Sequence, residues 1–138
     1  MKTSLSILVL FTVISVIGQK VDNTKIIIIL NDSLGSFEKV KTAFVKNKFI
    51  LKEESSKNTI TTYPREFDNI PGYAIGNAEI NGNTVTLSGI YGLKKMNYWG
   101  HEKQPKDYKQ IIYFKGSKGW RLLMQIANEL GGVISYSK

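Results

Sequence analysis

The sequence predicts an α+β domain, a curved antiparallel β-sheet of five to seven strands with two α-helices packed on one face. Three observations predict it. Two segments repeat apolar residues every three or four positions, as a half-buried helix does; several short β-rich segments lie between them; and an Asn-Gly pair links two of those segments as a hairpin. Helical segments that bracket a run of strands, rather than alternate with single strands, place the helices on one side of an antiparallel sheet.

The first element is not part of the fold. Met1 to Ser4 carries one cation, Lys2, and Leu5 to Ile17 (LSILVLFTVISVI) is an uncharged run of 13 residues. A membrane-spanning helix needs about 20 residues, so the run reads as the core of a cleavable signal peptide rather than a permanent span. Val16 and Gly18 are suitably small for a cut before Gln19. We therefore assign residues 1–18 to a signal peptide and 19–138 to a single α+β domain, exported to a periplasmic or secreted location.

Lys25 to Leu30 (KIIIIL) is β-branched and apolar at successive positions, which predicts a strand covered on both faces or central in its sheet. Asp32 or Ser33 is placed to cap the helix that follows. Its apolar positions are Leu34, Phe37, Val40, Phe44 and Val45, with Lys41 on the same stripe, and Asn47 is suited to end it in a left-handed conformation. Phe49–Glu54 and Thr59–Tyr63 form a hairpin around the polar set Ser55 to Asn58, and Pro64 stops the second strand. Arg65 to Gly72 reads as an irregular connection. Tyr73–Ile80 and Thr84–Tyr91 flank Asn81, Gly82 and Asn83, with Val85, Leu87 and Tyr91 on one face and Thr84, Thr86 and Ser88 on the other. Gln110 to Lys115 (QIIYFK) returns to strand composition. Ser117 caps a second helix whose stripe is Trp120, Leu123, Met124, Ala127 and Leu130 and which stops at Gly131 and Gly132; Val133 to Tyr136 closes the sheet.

The segment FEKVKTAFVKNKFILKEESSKNTITTYP, a helix, a short linker and a hairpin, resembles the helix-then-hairpin unit of BamC-type lipoproteins, and the order of elements resembles that of TATA-binding-protein-like domains. That group includes the small exported domains of bacterial envelope lipoproteins of the BamC type. The resemblance extends from Lys25 to about Gly132 and implies a β-α-β4-α order. Two departures limit what it implies about function: the lipoproteins carry a lipidated cysteine absent here, and the DNA-binding members use two such domains. The Ile-, Lys- and Asn-rich exported chain likewise resembles bacterial envelope proteins.

Composition removes several chemistries. The chain has no Cys, which excludes disulfides, thiolate metal sites and a cysteine nucleophile, and one His, which excludes a multi-histidine metal site. No cofactor is expected. Charge is uneven: residues 19–91 hold nine basic and eight acidic side chains, whereas residues 92–138 hold nine basic and three acidic. A field of that sign favours anionic partners and equally serves solubility.

The 18 residues from Gly92 to Lys109 (GLKKMNYWGHEKQPKDYK) have no clean period, and loops longer than about 12–15 residues are often functional. Candidate binding residues there are Lys94, Lys95, Tyr98, Trp99, His101, Lys103, Lys106 and Tyr108: ammonium groups for an anion, aromatic faces for stacking. The same aromatics would equally pin the loop to the sheet. Lys118 and Arg121 extend the set, because Gly116–Gly119 (GSKG) precedes a helix whose first amides can accept an anion, although the full phosphate-loop spacing is missing. No catalytic residue is assigned. His101 and Glu102 are adjacent on an extended chain and point to opposite faces, and the Asp32-Ser33 and Glu53-Glu54 pairs fit a cap and a solvated hairpin.

The expected function is a noncatalytic binding domain that uses its basic, aromatic-containing loop, together with the basic turn Lys115 to Arg121, to contact an envelope protein or an anionic surface such as an acidic glycan. Nucleic acid is not the expected partner. A second reading is a carrier of a small apolar ligand between helices and sheet, lined by Phe37, Phe44, Trp120 and Met124; a third is an enzyme.

Overall fold

The computed structural model describes residues 18–53, 56–96, 99–100, 102–103 and 105–138. Residues 1–17 of the expected signal peptide lie outside them, as do Tyr98 and His101. The chain forms strand β1 (Lys25–Ile29), helix α1 (Ser36–Lys46), strands β2 (Thr59–Thr61), β3 (Arg65–Glu66), β4 (Gly72–Asn81), β5 (Thr84–Leu93), β6 (Lys95–Met96), β7 (Glu102–Lys103) and β8 (Lys109–Gln110), helix α2 (Lys118–Leu130) and strand β9 (Val133–Ser137). Seven strands make one antiparallel sheet in the order β2-β4-β5-β1-β9, with β3 also on β4 and β8 also on β5; β6 and β7 pair separately. Both helices pack on one face, α1 against β4 and α2 against β5 and β1, so the expected α+β class holds.

The long β4–β5 ladder organises the sheet. Its ten residue pairs run from Gly72↔Leu93 to Asn81↔Thr84, leaving Gly82 and Asn83 as a two-residue turn. Gly82 has φ 61° and Asn83 is not in the positive region, the pattern of a type II′ turn whose twist matches that of the strands. Asn83 then fastens β1 to the turn: its carbonyl accepts from Leu30 N at 2.8 Å and its amide donates to the Leu30 carbonyl at 3.1 Å.

Alternation decides the faces. Val85 and Leu87 of β5, Ile26 and Ile28 of β1, and Ala74, Ala78 and Ile80 of β4 are buried beneath the helices. Thr84, Thr86 and Ser88 lie on the other, half-covered face. β1 is central, between β5 and β9, but its second face is open, with Ile29 46% exposed, so the all-apolar run does not mean burial on both sides.

The two helices reach the sheet where it has no side chains. Gly76 and Gly89 are directly paired on the helix-covered face. A methyl group on Gly76 would stand 2.5 Å from Phe44 Cε1, and one on Gly89 would stand 2.9 Å from Ile111 Cδ1. Phe44 therefore lies on bare backbone, edge-on to Phe49 at 5.4 Å. The Gly76 amide donates to the buried Thr62 hydroxyl at 2.9 Å, which keeps the pair satisfied next to this contact. Trp120 packs between Tyr113 and Tyr136, with centroids 5.7 and 6.0 Å away. Phe44 and Trp120, two of the residues expected to line a ligand space between helices and sheet, are packed into the core here.

Four local expectations are corrected. The cap of α1 is Gly35, at φ 66°, with no side-chain hydrogen bond; the Asp32 carboxylate instead accepts from Leu34 N at 2.9 Å, closing a turn before the helix. Leu34 and Val45 are exposed, and Ala43 takes the buried position. Asn47 ends α1 without a left-handed conformation, which falls on Lys48 (φ 64°); the Asn47 amide bonds the Ala43 carbonyl and Glu129 of α2. The first strand of the early hairpin is reduced to a bridge, Leu51↔Thr62. Ser117 does cap α2, its hydroxyl accepting from Trp120 N at 3.2 Å.

The segment Gln110–Lys115 is mostly not strand. β8 and β1 share one edge of β5: β1 pairs with Thr84 to Leu87, and β8 with Ile90 and Tyr91. After Ile111 N bonds the Gly89 carbonyl at 2.9 Å, the edge belongs to β1, and Tyr113 N turns to the Asn23 carbonyl at 2.8 Å.

Phe44→Ala is expected to cost about 3–5 kcal/mol and Gly76→Ala about 1–3 kcal/mol by overpacking, read from denaturant midpoints. The double variant should lose less than the sum, because the new methyl occupies space that the ring vacates.

Candidate functional site

The described residues between Gly92 and Lys109 are tied to the sheet. Gly92 and Leu93 finish β5, residues 95–96 and 102–103 pair as a short arm, and Lys109 begins β8. Gly92 faces away from the helices and carries no side chain, so Pro105 and the Tyr108 ring close directly over it. Pro105 is buried and Tyr108 half-buried. Burial, with a smaller contribution from Tyr73, pushes the Tyr108 phenol above its ordinary range, since a phenolate there would be poorly solvated.

Lys94 fixes the base of the arm. Its ammonium pairs with Glu66 of β3 and lies 5.4 Å from the centroid of the Tyr73 ring, its backbone N–H donates to the Pro71 carbonyl, and its side chain is 8% exposed. It therefore ties the arm to β3 and β4 instead of facing solvent. Lys95, Lys106 and Lys109 are exposed around a cleft of about 270 Å³ whose floor is Tyr91, Gly92, Leu93 and Pro105, with Asp107 on its rim. Lys103 pairs in register with Lys95 across the arm. Trp99 is 85% exposed at the arm's end. The expected contributions of Tyr98 and His101 lie outside the described residues.

The second basic segment is linked to the first only through shared walls, Tyr91 and Leu93, which line hollows beside both. Lys118 and Arg121 occupy the first turn of α2, exposed and in no ion pair among the described residues. Between them and the arm lies an apolar depression of about 220 Å³, lined by Phe67, Ile70, Tyr91, Leu93 and Phe114, with Lys118 at its edge. Tyr91 and Leu93 also floor the lysine cleft. Beside the depression a third hollow, of about 190 Å³, is lined by Arg65, Asp68, Asn69, Lys118, Arg121 and Gln125.

Arg65, Phe67, Ile70 and Phe114 were not among the residues expected from sequence. Arg65 stacks on Phe49, with its guanidinium carbon 5.7 Å from the ring centroid, and donates to Asp68 at 3.1 Å. That hydrogen bond, the Arg65 charge and the more distant Lys48 hold the Asp68 carboxyl below its ordinary range. The Arg65 Nε is buried with no partner among the described residues. No group of three acidic or imidazole side chains capable of holding a metal occurs among the described residues. None of their helices is long and apolar enough to cross a membrane.

Gly92→Ala is expected to displace Pro105 and Tyr108 while leaving the β4–β5 ladder intact, seen as faster amide exchange confined to residues around 105–110. Because the Tyr108 pKa is raised on folding, its stabilising effect is complete below the ordinary tyrosine range and is lost as pH rises through the folded value. Alkaline titration followed by Tyr108 fluorescence or NMR should show the segment loosening there, and Tyr108→Phe should abolish that step. Compared with known proteins, the chain matches no family model, no curated protein and no solved structure, so its functional reading rests on the geometry described above.

Proposed function

We propose that the protein is an exported, noncatalytic binding domain that presents its basic segments to an anionic surface, an envelope protein or an acidic glycan. The observation that carries this reading is the convergence of two segments distant in sequence. Lys95, Lys106 and Lys109 from one, and Lys118 and Arg121 from the other, line three hollows that share wall residues, Tyr91 and Leu93 between the first two and Phe67, Ile70 and Lys118 between the second and third. Same-sign charges gathered around such hollows repel one another, and a polyanion relieves that repulsion while neutralising several charges at once. Export is supported by the apolar run Leu5 to Ile17. Kinship with TATA-binding-protein-like envelope domains is supported by the order strand, helix, antiparallel strands, helix.

The test uses immobilised heparin and vesicles of an anionic lipid at rising salt. Screening acts over about 8 Å at physiological ionic strength, so binding should fall steeply as salt increases. The triple variant Lys95→Glu, Lys106→Glu, Lys109→Glu should lose binding to both probes with its melting temperature within a few degrees of the parent. Lys94 is left in place because its ion pair holds the arm. Retention of parental binding by the triple variant would remove the proposal.

A further inference from the structure

We infer that the hollow beside α2 and the apolar depression next to it form one site for a single-chain anionic amphiphile, its headgroup a carboxylate or phosphate. This goes beyond the basic-surface reading and does not depend on it. The two spaces share Phe67, Ile70 and Lys118 in their walls, so they adjoin along a common border. One is polar and the other apolar.

The polar end is suited to an anion. Three cations line it, Arg65, Lys118 and Arg121, against one carboxylate, Asp68. Asp68 is already engaged by Arg65 and by Lys48, at 3.1 and 3.6 Å, whereas Lys118 and Arg121 have no ion pair among the described residues. The Arg65 side chain is 10% exposed, and its Nε is buried without a partner among the described residues. A buried donor left unsatisfied is costly, and an acceptor that reaches it recovers that loss. Arg65 is also rigidly held, stacked on Phe49 and bonded to the Glu66 carbonyl and Asp68, so little order is lost on binding.

The apolar end is suited to a chain rather than a second charge. Leu93 and Phe114 remain 56% and 46% exposed, although Phe67 beside them is buried. Covering those two side chains supplies the hydrophobic gain that a bare anion lacks. The cationic rim in turn disfavours an uncharged hydrocarbon, which would desolvate Lys118 without pairing it.

Decanoate below its micelle-forming concentration is the probe, with propionate as the head alone and decanol as the tail alone, each titrated calorimetrically or by saturation-transfer NMR. Decanoate should bind at one site, with propionate and decanol weaker by at least about tenfold. Arg121→Glu and Lys118→Glu should each weaken decanoate by about tenfold through the head. Leu93→Asp should do the same through the tail; all three positions are exposed, so the variants should melt as the parent does. The loop variant Lys95→Glu, Lys106→Glu, Lys109→Glu should keep decanoate affinity within about threefold, which separates this site from the proposed polyanion surface. Three outcomes would each overturn the inference. These are no saturable decanoate binding, propionate or inorganic phosphate binding as tightly as decanoate, and decanol binding as tightly as decanoate.

Discussion

The fold depends on the close approach of two helices to a sheet, and that approach depends on two glycines in register. Gly76 and Gly89 leave a strip of backbone on which Phe44 rests from one side and Ile111 from the other. An ordinary side chain at Gly76 would push Phe44, and α1 with it, off the sheet, and one at Gly89 would displace Ile111, against which Gly119 of α2 packs. Gly92, farther along β5 and on its opposite face, repeats the device at smaller scale. There it admits Pro105 and Tyr108. Missing side chains on two neighbouring strands thus admit Phe44 and Ile111 on one face and Pro105 with Tyr108 on the other.

The placement of the acids explains why the positive field survives folding. Glu38 is paired with Lys41, Glu66 with Lys94, and Asp68 with both Arg65 and Lys48. Those pairs neutralise cations in the first two thirds of the chain and at the base of the arm. They leave Lys95, Lys106, Lys109, Lys118 and Arg121 outside the ion pairs of the described residues. The surface that remains combines these cations with exposed apolar side chains, Leu93 and Phe114 among them.

Much of the fold was legible in local patterns. The β4–β5 turn, the Ser117 cap and the glycine stop of α2 are each set by a few adjacent residues and form at their expected places, although the turn residues are Gly82 and Asn83, with Asn81 paired in the strand. What failed was competition between distant segments. Gln110–Lys115 has strand composition, yet the edge of β5 that it would use is taken by β1, more than eighty residues earlier. Asp32 is a good cap by type, but the nearer amide of Leu34 captures its carboxylate. In the candidate site, the lysines of the arm were visible as a cluster, and Lys118 and Arg121 as a second. That Arg65 and Phe67 lie beside them was not visible, because no local signal joins residues 65–70 to residues 114–121. The buried role of Lys94 was equally hidden, since its partner Glu66 is 28 residues away.

The position of β1 has a kinetic consequence. Its two neighbours are β5 and β9, and the pairing of Ile27 with Ser135 spans more than a hundred residues. Closing a loop of that length costs entropy before any contact returns it, and domains dominated by such pairings fold in milliseconds to seconds rather than microseconds. The β4–β5 hairpin can form early because its turn is local. β1 must wait for both partners, so the nascent chain passes through a stage in which an isoleucine-rich strand has a template on one side and nothing on the other. β9 therefore covers the second edge of an isoleucine-rich strand that would otherwise stand open as a template for other chains.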